Sequence, residues 1–147
     1  MKTIITIILL LAPILSWGQN YTQKYNELYD RTEFYNSYGN LTGYAKYNSL
    51  YNRIEYYDTN GNLLKTEQYN DLYNRKEIKD QYGNQQGYEK KNNLYNQNEE
   101  YDSYGNMKYS KKWNDLYKRY EIYDSYGNMV GYYKWNDLYK RWEFTAK

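Results

Sequence analysis

Hydrophobic and polar positions alternate in short stretches along this chain, and one such stretch returns every 22 residues. A leucine marks each return, at Leu28, Leu50, Leu72, Leu94, Leu116 and Leu138. An asparagine two residues before each leucine, a tyrosine directly after it and a glutamate five residues after it keep the same step. A fixed period of this size is typical of tandem repeats. The chain therefore carries repeats that start at residues 24, 46, 68, 90, 112 and 134, and the sixth stops after its first strand.

Each repeat predicts a β-hairpin. Stretches such as Arg53–Tyr57 are rich in aromatic and β-branched residues, which favours a strand, whereas no apolar stripe of helical period is present. The next segment, such as Asp124–Asn128, places Asp first and Gly fourth, which favours a type I turn followed by a glycine of positive φ. The second turn, such as Asn70–Asn74, lacks glycine. We expect its asparagine side chain to bond the turn backbone and its leucine to be tucked under the sheet.

These pieces predict an all-β fold of about twelve antiparallel strands. The array begins at Tyr21–Lys24, which matches the second strand of a hairpin, and ends at Trp142–Phe144, which matches a first strand. Each repeat in such an array contacts mainly its neighbours. We therefore expect a repetitive antiparallel β-hairpin array with about 22 residues per hairpin, in the form of an open single-layer sheet or a β-solenoid or roll.

A second, longer period overlies the 22-residue repeat. Gly43, Gly87 and Gly131, each followed by tyrosine, occur in alternate copies only, which gives a superperiod of 44 residues. A glycine inside a strand often marks the close approach of another group. We expect successive hairpins to lie in two alternating environments, although pairwise duplication without structural meaning would produce the same rhythm.

The first 18 residues resemble a secretory signal peptide. Lys2 supplies a positive start, Ile4–Leu15 an apolar run too short for a comfortable membrane span, and Ser16–Gly18 a small-x-small cleavage site. We expect residues 1–18 to be removed and residues 19–147 to form a single repeat domain that is secreted, periplasmic or at the cell surface. The alternative is that the apolar run stays as an N-terminal anchor helix.

Composition narrows the chemistry. The chain has no His and no Cys, so disulfides, thiolate nucleophiles and the commonest general base and zinc ligands are absent. Asp and Glu recur with the repeat, so no pair is distinguished as an acid–base couple, and we expect no catalytic residue, metal or cofactor. Basic and acidic residues alternate finely at a net charge of +2, unlike the one-sided basic patch of a nucleic-acid-binding protein.

The 25 tyrosines have two possible roles. Rows of rings can supply the burial that aliphatic residues usually give, and exposed rows can bind sugars or peptides through a flat face with a polar tip. Tryptophan replaces tyrosine only in the last two copies, at Trp113 and Trp135, with Trp142 close by in sequence. The candidate ligand site is therefore Trp113, Trp135, Trp142, Tyr117 and Tyr139.

Short motifs resemble three bacterial repeat families. Glu55–Leu63 resembles the core of MORN-type repeats, and Tyr123-Asp124 with Gly127-Asn128 is similar to the YD (Rhs) repeat. Met129–Tyr132 resembles the choline-binding repeats of cell-wall proteins, although their regular tryptophan pairs are missing here. The Asn-Asp-Leu-Tyr turn also departs from the first two families, which would have a glycine there. The resemblance implies an exported or surface-associated β-repeat scaffold and no shared ligand.

Together these features predict an exported, noncatalytic module that binds a glycan or protein of the cell envelope through its tyrosine and tryptophan rows. The alternative is a structural protein that self-associates, since the two terminal edges of a long sheet invite pairing. An enzyme is the third and least favoured reading.

Overall fold

The computed structural model describes residues 21–147, and the predicted signal peptide at residues 1–18 lies outside them. Within these residues the chain consists of strands and turns, so the prediction of twelve antiparallel strands is confirmed. The strands are β1 (Tyr21–Asn26), β2 (Arg31–Asn36), β3 (Leu41–Asn48), β4 (Arg53–Tyr57), β5 (Leu63–Asn70), β6 (Arg75–Asp80), β7 (Gln85–Asn92), β8 (Gln97–Asp102), β9 (Met107–Asn114), β10 (Arg119–Asp124), β11 (Met129–Asn136) and β12 (Arg141–Ala146). Across residues 21–147 no helix is long and apolar enough to span a membrane.

The sheet closes on itself. Each strand pairs antiparallel with its neighbours in chain order, and β12 pairs with β1 over Tyr21–Gln23. The prediction of an open single-layer sheet or a β-solenoid is therefore wrong, because the protein is a closed twelve-stranded barrel. Strand twist curls a long antiparallel sheet, and closure pairs the two edges that an open sheet would leave exposed. Self-association, which stays a proposal, would therefore need a surface other than these paired edges.

The barrel has six-fold pseudosymmetry that continues across the seam. Thr32 on β2 pairs with Ala45 on β3, and the same register recurs with the 22-residue step in the hairpins that follow. At the seam Trp142 pairs with Gln23, and these two residues occupy the repeat positions of Thr32 and Ala45. The last and first strands therefore complete a sixth hairpin from the two halves found at opposite ends of the array.

Glycine-containing turns lie at one end of the barrel, which we call the glycine end. Their glycines have φ between 79° and 89°, as the sequence predicts. The residue three positions before each glycine fixes the turn: the Asp124 carboxylate accepts hydrogen bonds from the backbone N–H of Tyr126 at 2.9 Å and of Asn128 at 2.8 Å. Side-chain bonds of this kind hold the backbone of a tight turn.

The other set of turns, each with an asparagine at its start and a leucine two residues later, lies at the opposite end of the barrel, which we call the leucine end. Asn48 Oδ1 accepts hydrogen bonds from the backbone N–H of Leu50 at 3.1 Å and of Tyr51 at 3.3 Å, so the predicted role of the asparagine is confirmed. Four residues after each such asparagine the backbone is left-handed, with φ of 48° to 50°. The predicted burial of the leucines is wrong: all six are 80–83% exposed, because the turn directs them beyond the end of the sheet.

The 44-residue superperiod has a steric basis. The three strand glycines alternate around the barrel with larger residues at the equivalent inward position, namely Tyr21, Lys65 and Tyr109. A Cβ atom on Gly43 would lie 2.5 Å from the carbonyl oxygen of Tyr57. On the outer face the following residue, Tyr44, stacks on the Tyr57 ring at 5.1 Å. Gly87, Tyr88 and Tyr101 repeat this arrangement, so two environments do alternate.

Inward-facing positions differ from copy to copy, whereas many outward-facing and turn positions are identical. One inward level is formed by Gln23, Ala45, Glu67, Glu89, Lys111 and Tyr133. The centre of a barrel has limited room, so six equal large side chains on one level would collide. As a result the interior holds two apolar clusters, one of Ile122, Tyr133 and Phe144 and a smaller one of Ala45 and Tyr56, and charged residues of β5–β7 form ion pairs elsewhere in it.

Candidate functional site

Four aromatic side chains form a continuous cluster at the leucine end. We call Trp113, Tyr120, Trp135 and Trp142 the tryptophan cluster. The ring centroids of Trp113 and Tyr120 are 4.8 Å apart, those of Tyr120 and Trp142 are 5.7 Å apart, and those of Trp142 and Trp135 are 5.5 Å apart. Tyr120 and Trp142 also pack against the apolar core. The cluster therefore runs from the barrel interior to its rim.

The strand register explains why these rings meet. Trp113 on β9 lies opposite Tyr120 on β10, and Trp135 on β11 lies opposite Trp142 on β12. Each pair stands at the base of an asparagine-containing turn, on the inward face. Directly opposite side chains in antiparallel strands are close enough for ring contact. The two strand pairs are adjacent in the barrel, so the two ring pairs join into one surface.

A carboxylate adjoins each outer ring. The indole Nε1 of Trp113 donates a hydrogen bond to Asp115 Oδ1 at 2.9 Å, and Trp135 Nε1 donates to Asp137 Oδ1 at 3.0 Å. These bonds fix the orientation of both rings. Trp113 is 37% exposed and Trp135 is 39% exposed, so part of each ring faces solvent. The pair of turns therefore presents flat apolar faces next to acidic oxygens.

The structure joins three of the five predicted site residues and separates the other two. Trp113, Trp135 and Trp142 belong to the tryptophan cluster, whereas Tyr117 and Tyr139 lie on the outer side of the same turns, each 55% exposed. Their rings rest on the guanidinium groups of Arg119 at 4.6 Å and Arg141 at 4.8 Å. Sequence reasoning missed Tyr120, which links Trp113 to Trp142. Its position opposite Trp113 in the hairpin was the available signal.

The outer face is held by rows of arginine, glutamate and tyrosine. The Arg119 guanidinium lies 4.6 Å from the Tyr117 ring and 4.2 Å from the Tyr132 ring, and it donates hydrogen bonds to Glu121 Oε1 at 2.9 Å and 2.6 Å. Tyr123 donates to the other carboxylate oxygen at 2.7 Å. The hydrogen bond from Tyr123, with smaller help from Arg119, holds the pKa of Glu121 below its usual value despite partial desolvation. These groups satisfy one another and serve the fold.

Buried charges form a second polar region inside the barrel. Lys76 Nζ lies 3.2 Å from Glu67 Oε2 and 3.0 Å from Glu89 Oε2, and Lys65 Nζ lies 3.0 Å from Glu67 Oε1. Burial lowers the pKa of Lys111, on the same inward level, to about 8. The charges bridge β5, β6 and β7 and are paired with one another, as buried charges must be.

No group of three or more His, Cys, Asp or Glu residues suited to a metal ion occurs within residues 21–147.

No protein-family model matches the chain. No curated protein sequence matches it either. A crystal structure of a protein from Arabidopsis thaliana is similar in fold, with a TM-score of 0.64 and 11% identity over 88% of this chain and 80% of that chain. At that identity the similarity concerns the fold alone.

Proposed function

We propose that the protein is an exported, noncatalytic module that binds a cell-envelope glycan at the tryptophan cluster. The observation that carries this proposal is the continuity of the cluster from the core to two partly exposed indole rings. A ring fixed from below gives a rigid apolar face, so little side-chain entropy is lost when a ligand stacks on it. A sugar ring has an apolar face of matching size and hydroxyl groups at its edge.

The acidic groups beside the indoles suit a glycan. Asp115 and Asp137 each use Oδ1 to accept the indole hydrogen bond, and Oδ2 of each carboxylate can accept a hydrogen bond from a sugar hydroxyl. Charge-assisted hydrogen bonds of this kind are stronger than neutral ones. An envelope protein is the alternative partner, but hydroxyl groups around a flat ring match carboxylates beside an indole more directly than a peptide surface does.

Binding to purified envelope polysaccharides tests the proposal. The full chain is titrated with a panel of these glycans, and affinity is measured by calorimetry. Trp135→Ala and Trp113→Ala should each weaken binding by about tenfold or more, since stacking aromatic residues dominate interfaces in which they are buried. Circular dichroism and thermal unfolding of each variant establish that the barrel is intact.

Tyr47→Ala is the matched control. Tyr47 occupies the same repeat position as both tryptophans and is 40% exposed, but it lies on β3, away from the tryptophan cluster. The control should bind the glycan as the unmodified chain does. Equal loss in Tyr47→Ala and Trp135→Ala, or no loss in either tryptophan variant, would contradict the assignment of the site.

A further inference from the structure

The six leucines of the leucine end form one ring, which we call the leucine rim. Its members are Leu28, Leu50, Leu72, Leu94, Leu116 and Leu138, each 80–83% exposed. Single exposed leucines are ordinary on protein surfaces. Six exposed leucines at the same repeat position are not ordinary, because the pseudosymmetry places all of them at one level around the barrel axis. The end of the barrel therefore carries a flat circle of apolar side chains.

The turns hold these leucines in a fixed geometry. In five of the six turns the leucine N–H donates a hydrogen bond of 3.1 Å to the asparagine side chain two residues earlier. In four of the six turns the asparagine also donates a hydrogen bond from Nδ2 to the glutamate of the next strand, for example from Asn48 to Glu55 Oε1 at 3.1 Å. Since the turn is already ordered, docking of the leucines costs little further conformational entropy.

Three layers follow one another from the rim toward the sheet. The leucine is outermost, and the tyrosine after it is half-exposed, at 54–59% in all six copies. In five copies an arginine lies behind that tyrosine, 4.6–4.8 Å from its ring, for example Arg53 behind Tyr51. The order of apolar tip, amphipathic ring and cation matches the order of acyl chain, interface and phosphate in a lipid bilayer.

Charge on the outer face favours an anionic partner. Lys46 and Arg53 both adjoin Glu55, the first across the strand pair and the second through a 2.6 Å ion pair. The first copy and the last two copies likewise place one lysine and one arginine beside each glutamate. The cross-strand lysines there are Lys24, Lys112 and Lys134. The turn residues beside the leucines offset most of this excess, because they include five acidic side chains, Glu27, Asp30, Asp71, Asp115 and Asp137, and two lysines, Lys118 and Lys140. Basic residues near a membrane surface contribute attraction to anionic lipids.

The spacing of the leucines also distinguishes a bilayer from a second copy. Each leucine is flanked by a polar or charged residue on one side and a tyrosine on the other, so the apolar area is divided into six separate tips. A stable protein interface needs a contiguous, closely packed apolar centre. Fluid acyl chains can close around each tip independently. We propose that the leucine rim docks the barrel, axis upright, on the surface of an anionic lipid bilayer.

Vesicle cosedimentation with the full chain tests this proposal. The probes are vesicles of phosphatidylcholine alone and of phosphatidylcholine with phosphatidylglycerol. The test variant is Leu28→Ser/Leu50→Ser/Leu72→Ser/Leu94→Ser, which leaves the turns of the tryptophan cluster unchanged. The chain should bind the anionic vesicles in preference, and the variant should lower that binding by about a hundredfold or more. Its thermal unfolding should be unchanged because all four leucines are 81–83% exposed.

Four tyrosines of the glycine end provide a matched control. Tyr38, Tyr82, Tyr104 and Tyr126 are 80–90% exposed, and changing all four to serine should leave vesicle binding as it is. The proposal is overturned if the unmodified chain does not bind, if it binds both kinds of vesicle equally, or if the leucine variant binds as well as the control. It is also overturned if the leucine substitutions abolish instead a dimer detected by sedimentation without vesicles, since the rim would then join two copies. The proposal does not depend on the glycan proposal, because the substituted leucines lie outside the tryptophan cluster.

Discussion

Thr22 on the first strand lies directly opposite Glu143 on the last strand. Facing residues of an antiparallel pair have Cα atoms about 4.5–5.5 Å apart, within the range that a disulfide spans. The chain has no cysteine of its own, so Thr22→Cys/Glu143→Cys should form one intrachain disulfide in the monomer on mild oxidation. Mass spectrometry of the non-reduced protein detects it.

The corresponding control is Thr22→Cys/Glu121→Cys, because Glu121 holds the repeat position of Glu143 one copy earlier. In the closed barrel this pair is too far apart for a disulfide. If neither pair formed an intrachain bond, or both did so equally, the seam between the terminal strands would be in doubt.

The strand glycines should be less replaceable than the turn glycines. A Cβ atom on Gly87 would lie 2.2 Å from the carbonyl oxygen of Tyr101, which is a backbone atom that cannot rotate away. Gly87→Ala should therefore destabilise the fold by about 1–3 kcal/mol or more. At Gly83 nothing lies within 4 Å and only the positive φ of 89° opposes alanine, so Gly83→Ala should cost about 1 kcal/mol. Urea unfolding of both variants compares the two costs, and a Gly83→Ala variant less stable than Gly87→Ala would contradict the steric explanation.

The buried ion network should be sensitive to the loss of its central cation. Lys76 neutralises Glu67 and Glu89, so Lys76→Met leaves the buried Glu67 and the half-buried Glu89 without that partner and should cost about 3–5 kcal/mol. Adding Glu67→Gln to Lys76→Met should recover part of this loss, because one of the two charges is then removed. Lys79→Met on the outer face of the same strand serves as the control and should stay within about 0.5 kcal/mol of the unmodified chain. A stability loss in Lys79→Met as large as in Lys76→Met would contradict the network's role.

Lys111 should give the stability a distinct pH dependence. Its pKa is about 8 in the folded state because burial disfavours the charged form, whereas it is about 10.5 in an exposed lysine. Between these values the unfolded chain binds a proton that the folded chain does not, so this lysine's contribution to the free energy of unfolding rises from pH 8 to 10.5. Glu89, Lys76, Glu67 and Glu100 are the charges that act on it.

Chemical unfolding of Lys111→Met at several pH values measures this contribution. The variant should lack the rise, whereas Lys112→Met on the outer face of the same strand should retain it. Identical pH profiles for Lys111→Met and the unmodified chain would show that the lysine does not titrate in this window.

The hairpins and their turns could be predicted from the sequence because their determinants are local. Asp124 and Gly127 specify one turn within five residues, and the Asn48 side chain specifies the other within four. Closure is a property of the whole sheet. The sequence signals closure only through its two terminal strands, which contain Tyr21 and Phe144. These strands complement each other in the same way as the two strands of one repeat.

The site was predictable in part for the same reason. Trp113 and Trp135 can be recognised in the sequence because they replace the tyrosine found at the same repeat position in earlier copies. Tyr120 is one of 25 tyrosines, and only the strand register shows that it connects Trp113 to Trp142. The predicted burial of Leu50 is wrong because the prediction relied on the general tendency of apolar residues to be buried. Nothing in a four-residue turn indicates which way its side chain points relative to a sheet that has not yet closed.

Closure also makes the number of repeats a fixed structural quantity. An open array can gain or lose one 22-residue unit at its end and keep every remaining contact, so its length can drift freely. In this barrel a seventh or missing hairpin would change the circumference and shift the distance across the interior for all the others. The inward residues that differ from copy to copy, such as the fully buried Ala45 and Tyr133, are matched in size to a ring of six hairpins. Adding or deleting a single unit would therefore disturb packing throughout the barrel interior, and not only at the end of the chain.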